Sequence, residues 1–171
     1  MILIFKELMI IKFTTKIYHM ALLKVGDKIP DFSCFDDKGN LITNKDLTGK
    51  KTIIFFYPRA NTPGCTAQAC NLSENFSELS KVGFSIIGVS ADKVRSQSSF
   101  SSKFGGFPYP LLADTEKKII NAFGVWGMKK FMGKDYEGIL RTTFIVDENL
   151  IITRVIEKVK TKDHTRQILN E

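Results

Sequence analysis

A continuous apolar run between Lys51 and Tyr57 constrains this chain more than any other feature. The run is rich in β-branched and aromatic residues, which is typical of a strand that is buried on both faces of a sheet. After a short turn, Pro63 and Gly64 open a helix pattern that carries Cys65 in its first turn. The sequence therefore predicts a cysteine at the point where a helix follows a central strand.

Strand and helix patterns alternate along the rest of the chain. The predicted order is a hairpin around 36–40, a helical turn over 44–50, the strand 51–57, a helix over 65–81, a strand over 84–90, a helix over 92–104, a strand over 111–113, a helix over 116–123, a hairpin of strands 142–146 and 150–156, and a helix from 161. The segment 124–138 is predicted to be irregular. This order favours an α/β fold with a mixed central sheet, helices on both faces and an added N-terminal hairpin, which resembles the thioredoxin-like layout.

Length and composition describe one ordinary globular domain. The chain has 171 residues, of which 43% are hydrophobic and 25% charged. The formal net charge is +7, but the lysines are scattered, and the densest basic run, Arg154 to Arg166, is interrupted by Glu157 and Asp163. We therefore expect a solvated surface rather than a nucleic-acid site. Three cysteines are too few for a secreted disulfide scaffold, so a reducing, cytoplasmic setting is predicted.

We interpret residues 1–20 as an N-terminal extension of a domain that spans 21–171. The extension is apolar but is interrupted by Lys6, Glu7 and Lys12, so it is too short and too broken for stable insertion in a membrane. It lacks the features of a secretory signal, and it has neither the arginine nor the serine of a mitochondrial transit peptide. Because Met20 offers a second start, the leading interpretation of residues 1–19 is a non-core extension or a misassigned start. An organellar targeting segment and an added structural element stay open.

Cys65 has the features of a reactive thiol. Peptide N–H groups at a helix start are unpaired, and the helix dipole places partial positive charge there, so thiols at such positions ionise easily. Thr62 supplies a hydroxyl within reach of whatever binds the sulfur. Pro58 leaves the strand rigidly and lacks an N–H, so it can shield the site from water. The alternative is that Cys65 is a small core residue.

Cys70 is a second thiol on the same predicted helix. Five residues on a regular helix correspond to a rotation of about 140° and a rise of about 7.5 Å, whereas a disulfide needs Cα atoms closer than about 7 Å with converging side chains. Cys65 and Cys70 therefore cannot bond while the helix is intact, and its first turns must unwind if they do. The alternative is that Cys70 belongs to the helix core.

The spacing of the cysteines argues against two other kinds of site. Thioredoxin-type exchange places two residues between its cysteines. Structural zinc needs four ligands, which Cys34, His19 and His164 would have to complete from unpatterned positions, so no metal is predicted. We interpret Cys34 as a core residue and the two histidines as surface residues, which argues against a cysteine–histidine hydrolase.

Arg141 is the third candidate, directly before the predicted strand 142–146. A guanidinium in this position could hold a thiolate and a peroxide oxygen together through fixed hydrogen bonds. On spacing alone, solvation at the surface is the better interpretation of a single arginine.

These residues together resemble the active-site pattern of the peroxiredoxin family, in which a proline, a threonine and a cysteine are spaced as in Pro58, Thr62 and Cys65. The fuller run from Phe56 to Cys70 is similar to the bacterioferritin comigratory protein group, also called peroxiredoxin Q. The resemblance covers roughly residues 21–160 and extends through 25–32, 87–90, 110–114, 123–127, 131–134 and 141–144.

The resemblance implies a thiol-dependent peroxidase of antioxidant defence that needs no cofactor. It implies that Cys65 reduces hydrogen peroxide or an organic hydroperoxide and becomes a sulfenic acid. Cys70 would then close an intramolecular disulfide, which thioredoxin or a similar dithiol donor reduces. Thr62 and Arg141 would orient thiolate and peroxide, and Pro58 would shield them.

The group also implies a monomer or weak dimer. Two further functions remain open from the residues themselves. One is a redox sensor or holdase whose local unfolding exposes apolar surface, and the other is a general disulfide oxidoreductase.

Overall fold

The chain folds into alternating strands and helices. The computed structural model describes residues 21–170. In chain order the strands of this part are β1 Ser33–Phe35, β2 Leu41–Thr43, β3 Lys51–Phe56, β4 Phe84–Ser90, β5 Leu111–Ala113, β6 Trp126–Phe131, β7 Lys134–Ile139, β8 Thr142–Val146 and β9 Ile152–Ile156. The helices are α1 Pro63–Glu74, α2 Phe76–Lys81, α3 Val94–Lys103, α4 Lys118–Ala122 and α5 His164–Leu169. Most predicted elements are confirmed, with ends that differ by at most three residues.

A five-stranded mixed sheet forms the centre, with strands in the order β5-β4-β3-β8-β9. β3, β4 and β5 run parallel, whereas β8 is antiparallel to both β3 and β9. β3 is the middle strand and is buried from Thr52 to Phe56, as its apolar sequence predicts. The β1–β2 hairpin is a separate two-stranded sheet, followed by a 3-10 turn at Asn44–Leu47.

Successive side chains of β3 point to opposite faces of the sheet and enter two hydrophobic cores. On one face, Ile53 and Phe55 belong to a cluster with residues of α1, α2, α3 and α5, among them Leu72, Leu79, Phe100 and Ile168. On the other face, Ile54 and Phe56 belong to a cluster with residues of α4 and β8, among them Ile120, Phe123 and Phe144. The predicted α/β architecture with helices on both faces is confirmed.

The prediction of one helix over 65–81 is wrong, because the chain breaks at Asn75 into α1 and α2. Asn75 has φ −102° and ψ 15°, outside helical values. Its side-chain amide donates to the carbonyl of Asn71 at 2.8 Å, and its backbone N–H bonds the same carbonyl at 3.3 Å. An asparagine side chain competes in this way with the backbone ladder and favours helix ends.

The prediction that 124–138 is irregular is also wrong. β6 and β7 form an antiparallel hairpin, paired from Trp126↔Ile139 to Phe131↔Lys134. Its turn is the dipeptide Met132-Gly133, in which both residues have positive φ, 49° and 78°. Such two-residue turns match the twist of a hairpin, but methionine is not a typical residue for the first position, so Met132-Gly133 is a weak local signal for a hairpin.

The predicted extension 1–20 lies outside the described residues. Within 21–170, no helix is both long and apolar enough to cross a bilayer.

Gly124 offers a test of how the chain around Ala21 is held in place. It has φ +71°, and an added Cβ would lie 2.3 Å from the carbonyl oxygen of Ala21. Gly105 has a similar φ of +78° but open space around the Cβ position. We expect Gly105→Ala to cost about 1 kcal/mol from the left-handed backbone alone. Gly124→Ala should cost a further 1–3 kcal/mol, approximately the penalty of overpacking.

Urea unfolding of the two variants measures the backbone cost and the added overpacking cost on the same protein. Equal losses of unfolding free energy in Gly124→Ala and Gly105→Ala would contradict a tight contact between Ala21 and Gly124.

Candidate active site

Cys65 lies just beyond the carboxyl end of β3, in the first turn of α1. Pro63 occupies one of the first two helical positions, where its missing N–H costs nothing. The preceding loop is fixed from two sides. The backbone N–H of Ala60 bonds the carboxylate of Asp92 at 2.8 Å, and the hydroxyl of Thr62 donates to the carbonyl of Arg59 at 3.0 Å. The cysteine therefore stands on a rigid junction, and its side chain is 1% exposed.

Arg141 contacts Cys65 because of the register between β3 and β8. Phe56, the last residue of β3, pairs with Thr142, the first residue of β8, so Arg141 enters the sheet beside the loop that leads to α1. Its Nη2 donates a hydrogen bond to the Cys65 sulfur at 3.3 Å. A guanidinium in this position stabilises negative charge on sulfur.

Gly64 allows this approach. A Cβ on Gly64 would lie 3.2 Å from Nη2 of Arg141, which is too close for an undisturbed guanidinium. The glycine next to Cys65 therefore leaves room for the arginine over the helix start.

Gln68 is part of the site and was not predicted. It is fully buried, and its Oε1 accepts a hydrogen bond from Nη1 of Arg141 at 2.7 Å. Its Nε2 is buried and has no hydrogen-bond partner in the described part of the chain. Gln68 follows Cys65 by three residues, so the two share a helix face. A polar residue at this spacing was the sequence signal that could have identified Gln68 as part of the site. The arginine is therefore held from two sides, by sulfur and by amide.

Pro58 and Thr62 line a cleft of about 550 Å³ that lies beside the Cys65 junction. The opposite wall is the β6–β7 hairpin, which contributes Phe131, Tyr136 and Ile139 among others. Thr62 directs its hydroxyl to Arg59 rather than to sulfur. The structure thus puts Pro58 and Thr62 at the entrance of the site, with a largely apolar wall facing them.

Lys129 brings a further positive charge to this cleft. Its Nζ donates to the carbonyl of Ile139 at 3.0 Å. Burial, and secondly the positive charge of Arg141, lowers the pKa of Lys129. The lining of the cleft thus contains the basic side chains of Arg59 and Lys129 and the acidic side chain of Glu137.

Cys70 lies on the same helix as Cys65, half-buried, and both are free thiols. Burial, and secondly the nearby carboxylate of Glu74, raises the pKa of the Cys70 thiol. Both influences favour the protonated thiol at Cys70.

Asn71, the residue after Cys70, joins α1 to α5. Its Oδ1 accepts hydrogen bonds from the backbone N–H of Thr165 at 2.8 Å and from the Thr165 hydroxyl at 3.0 Å. Its Nδ2 donates to the carbonyl of Lys162 at 3.2 Å. The part of the helix that carries Cys70 is therefore tied to the C-terminal helix.

Cys34 is remote from this constellation. It lines a different, smaller cleft with Asp114. Burial, and secondly the negative charge of Asp114, raises the pKa of Cys34 to about 11. The negative charges of Asp114 and Asp36 disfavour a thiolate here, unlike the surroundings of a reactive cysteine. Among residues 21–170 no three His, Cys, Asp or Glu side chains are grouped as metal ligands.

Comparisons with known proteins agree with the fold and the site described above. The model of the AhpC/TSA family matches residues 25–155. This chain belongs to the AhpC/TSA family. Peroxiredoxin Bcp of Escherichia coli K12 is 42% identical over 151 residues, covering 88% of this chain and 96% of that protein. A putative peroxiredoxin of Coxiella burnetii is 40% identical over 147 residues, covering 86% and 97%.

Two solved structures agree with this membership. Peroxidoxin BcpB of Mycobacterium tuberculosis is 33% identical with a TM-score of 0.76, covering 86% of this chain and 95% of that one. The bacterioferritin comigratory protein of Xanthomonas campestris is 32% identical with a TM-score of 0.78, covering 88% and 96%. The thioredoxin-like peroxiredoxin fold and the resemblance to the peroxiredoxin Q group are confirmed, and the relatives support a thiol peroxidase.

The interpretation of His164 as a surface residue is wrong. The side chain is 0% exposed. Its Nε2 lies 2.9 Å from the hydroxyl of Thr143 on β8, and its Nδ1 lies 3.1 Å from Oε1 of Gln167. Burial, reinforced by the charges of Arg141 and Arg154, lowers the pKa of His164 to about 4. The histidine anchors α5 to the sheet in its neutral form.

This anchoring predicts a pH dependence of stability. The unfolded chain binds a proton at His164 near pH 6.5 and the folded chain only near pH 4, so the contribution of this histidine is intact above about pH 6.5 and is lost as pH falls toward about 4. The shift corresponds to at most about 3 kcal/mol. Urea unfolding of the wild type and of His164→Gln across this range measures it. The variant should lose less free energy on acidification, and parallel pH profiles would contradict the assignment.

Proposed function

We propose that this member of the AhpC/TSA family is a thiol peroxidase that uses Cys65 as its peroxidatic cysteine and Cys70 as its resolving cysteine. The observation that supports this most directly is the hydrogen bond from Arg141 to the Cys65 sulfur in the first turn of α1. Helix N–H groups and a guanidinium both favour a thiolate there. Sulfur in this setting is a nucleophile rather than a packing residue.

In the first step the Cys65 thiolate attacks one oxygen of a hydroperoxide. The S–O bond forms as the O–O bond breaks, and the second oxygen leaves with a proton as water or an alcohol. Arg141 can stabilise both the thiolate and the negative charge that develops on the leaving oxygen. Thr62 and Pro58 orient the peroxide at the cleft entrance and exclude water. No cofactor takes part in this step.

In the second step the Cys70 sulfur attacks the Cys65 sulfenic acid. An S–S bond forms, the S–O bond breaks and water leaves. Helix geometry forbids this reaction until α1 unwinds between the two residues. Unwinding would also bring Cys70 into water and separate it from Glu74, so it removes both causes that raise the pKa of Cys70.

The substrate range includes organic hydroperoxides. The cleft beside Cys65 has the aromatic wall of Phe131 and Tyr136 and a volume of about 550 Å³, which suits an alkyl chain. The Xanthomonas campestris relative is described by its alkyl peroxide reduction activity. Thioredoxin or a similar dithiol donor reduces the disulfide and completes the cycle, in a cytoplasmic setting.

Cysteine substitutions test the assignment in a peroxide-consumption assay coupled to thioredoxin and its reductase. Cys65→Ser should abolish turnover, because no other thiol of residues 21–170 contacts a guanidinium. Cys70→Ser should complete one round of oxidation at about the wild-type rate but lose recycling by thioredoxin. Cys34→Ser is the matched control and should behave as wild type.

Turnover by Cys65→Ser at the wild-type rate would rule out the peroxidase assignment. Full recycling by Cys70→Ser would replace the two-cysteine mechanism with a one-cysteine mechanism. A general disulfide oxidoreductase would instead reduce test disulfides without peroxide, and a holdase would suppress aggregation of a client without turnover.

The contacts of Asn71 lead to a prediction about how fast the Cys65–Cys70 disulfide forms. Its hydrogen bonds to Thr165 and Lys162 resist opening of α1. At about 1 kcal/mol for each net bond, Asn71→Ala should speed disulfide formation by about ten-fold or more. It should also reduce the fraction of Cys65 that excess peroxide carries on to sulfinic acid. Stopped-flow fluorescence and intact-protein mass spectrometry measure the two effects.

Thr165→Ala provides the reciprocal variant, since it removes the hydroxyl that bonds Asn71. The double variant should gain less than the sum of the two single effects, because both remove the bond between the Thr165 hydroxyl and Oδ1 of Asn71; only the bond from this hydroxyl to the backbone carbonyl of Asn71, at 3.3 Å, is left in Asn71→Ala. Additive rate increases, or slower resolution in Asn71→Ala, would contradict this role.

A further inference from the structure

The proposed first step has one requirement that no residue described so far meets. When the O–O bond breaks, the departing oxygen is a hydroxide or an alkoxide, and either is so strongly basic that it needs a proton as it leaves. Arg141 can stabilise negative charge on this oxygen, but a guanidinium does not give up its proton in proteins. The site therefore needs a separate proton donor that faces the cleft.

Lys129 reaches toward the site along one face of the β6–β7 hairpin. It lies directly opposite Tyr136 in the antiparallel register, and Gly138 shares that face of β7. A Cβ on Gly138 would lie 3.3 Å from Cδ of Lys129, so the stem of the lysine lies against this glycine. Its Nζ donates to the carbonyl of Ile139 at 3.0 Å, two residues before Arg141. The ammonium group is thus at the end of the hairpin that leads into the active site.

The ammonium group is held in place and still has protons to give. A lysine ammonium has three N–H donors, and within residues 21–170 one of them is used, by the carbonyl of Ile139. Nζ also lies 5.9 Å from the centroid of the Tyr136 ring, within the range of a cation–π contact. Lys129 shares the lining of the cleft with Pro58 and Thr62. A hydroperoxide that enters this cleft can therefore meet a free N–H of the lysine.

The charges around Lys129 favour release of a proton during the reaction. Burial, and secondly the positive charge of Arg141, lowers the pKa of the lysine, and a lysine with a lowered pKa is a better acid near neutral pH. The negative charge of Cys65 raises the pKa of the same lysine more weakly, so the ammonium group lies within electrostatic reach of the reacting sulfur. That charge disappears when the thiolate becomes a sulfenic acid, which removes an influence that holds the proton on Lys129.

Other polar groups that line the cleft are poorer proton donors. The hydroxyl of Thr62 already donates to the carbonyl of Arg59 at 3.0 Å. The guanidinium of Arg59 keeps its proton for the same reason as that of Arg141. The indole N–H of Trp126 is directed to Oε2 of Glu137 at 3.4 Å.

We propose that Lys129 is the catalytic proton donor to the leaving oxygen of the hydroperoxide. This proposal rests on the proposed function, since only a peroxidase has such a leaving oxygen. The Cys65 thiolate takes the terminal oxygen with its hydrogen and becomes a sulfenic acid, so the sulfur loses two electrons and the peroxide gains them. The O–O bond breaks, and an N–H proton of Lys129 passes to the departing oxygen, which leaves as an alcohol or water. Lys129 becomes a neutral amine and regains a proton from solvent before the next turnover.

Peroxides with different leaving groups test this role on the reduced full chain. tert-Butyl hydroperoxide leaves a basic alkoxide, whereas peracetic acid leaves acetate, which is stable as an anion at neutral pH. Lys129→Met should lower the rate constant for oxidation of Cys65 by tert-butyl hydroperoxide by about 100-fold or more, the usual size of a general-acid effect. Oxidation by peracetic acid should stay within about three-fold of wild type, because acetate needs no proton. Rapid-quench mass spectrometry measures both rates.

Lys129→Arg separates proton transfer from positive charge. It keeps the charge but has no proton to give up, so oxidation by tert-butyl hydroperoxide should stay about as slow as in Lys129→Met. Alkylation of Cys65 by iodoacetamide releases iodide without a proton, so its rate should stay within about three-fold of wild type in both variants. Lys130→Met is the matched control, because Lys130 is exposed and does not line the cleft. It should react as wild type with every reagent.

Wild-type rates in Lys129→Met, or recovery of the wild-type rate in Lys129→Arg, would overturn the assignment and leave the peroxidase proposal standing. Equal slowing of Lys129→Met with both peroxides and with iodoacetamide would overturn it too, since that pattern means that the lysine only stabilises the thiolate. A loss confined to tert-butyl hydroperoxide in Tyr136→Phe, with Lys129→Met unaffected, would transfer the role to the phenol. If the wild type reacts with every peroxide no faster than free cysteine does, the proposed function and this inference both fail.

Discussion

The hydrogen bond between Arg141 and Cys65 organises the site, and it depends on the pairing of two distant strands. β8 follows β3 by more than eighty residues in the chain, yet Phe56 pairs with Thr142. A register slip of one residue would turn every side chain of β8 to the other face and carry Arg141 away from α1. The buried side chains of Phe144 and Val146 fix this register, so the two cores of the sheet also hold the guanidinium in place.

In the proposed cycle, the start of α1 has to meet two requirements that conflict. An intact first turn supplies the N–H groups that favour a thiolate at Cys65, but the same turn keeps Cys70 on a different side of the helix. A helix that performed both steps must therefore be stable without being hard to open. The break at Asn75 limits its length, and short helices owe their stability to tertiary contacts. Most polar contacts at the far end of α1 join Asn71 to Lys162 and to Thr165 of α5. The same contacts therefore set how stable α1 is and how easily it unwinds.

Local patterns allowed the strands, the helix start and the position of Cys65 to be predicted, because apolar runs and a Pro-Gly helix start are local signals. The contact of Arg141 could not be derived in that way. It depends on a long-range register, and the sequence alone favoured solvation, so only the family resemblance pointed to it. The burial of His164 was missed for a similar reason, since its partner Thr143 lies on β8. The break at Asn75 and the β6–β7 hairpin were missed because one asparagine and a Met-Gly turn are weak local signals.

The three cysteines show that the surroundings, and not the residue type, decide what a thiol can do. Cys34 faces the carboxylate of Asp114, and its pKa rises to about 11. Burial and Glu74 also favour the protonated thiol at Cys70, but helix opening would remove both influences. Of the cysteines in residues 21–170, Cys65 is the one bonded to a guanidinium. In the proposed cycle, opening of α1 would change the surroundings of Cys70 and leave Cys34 beside Asp114, which would confine disulfide formation to Cys65 and Cys70.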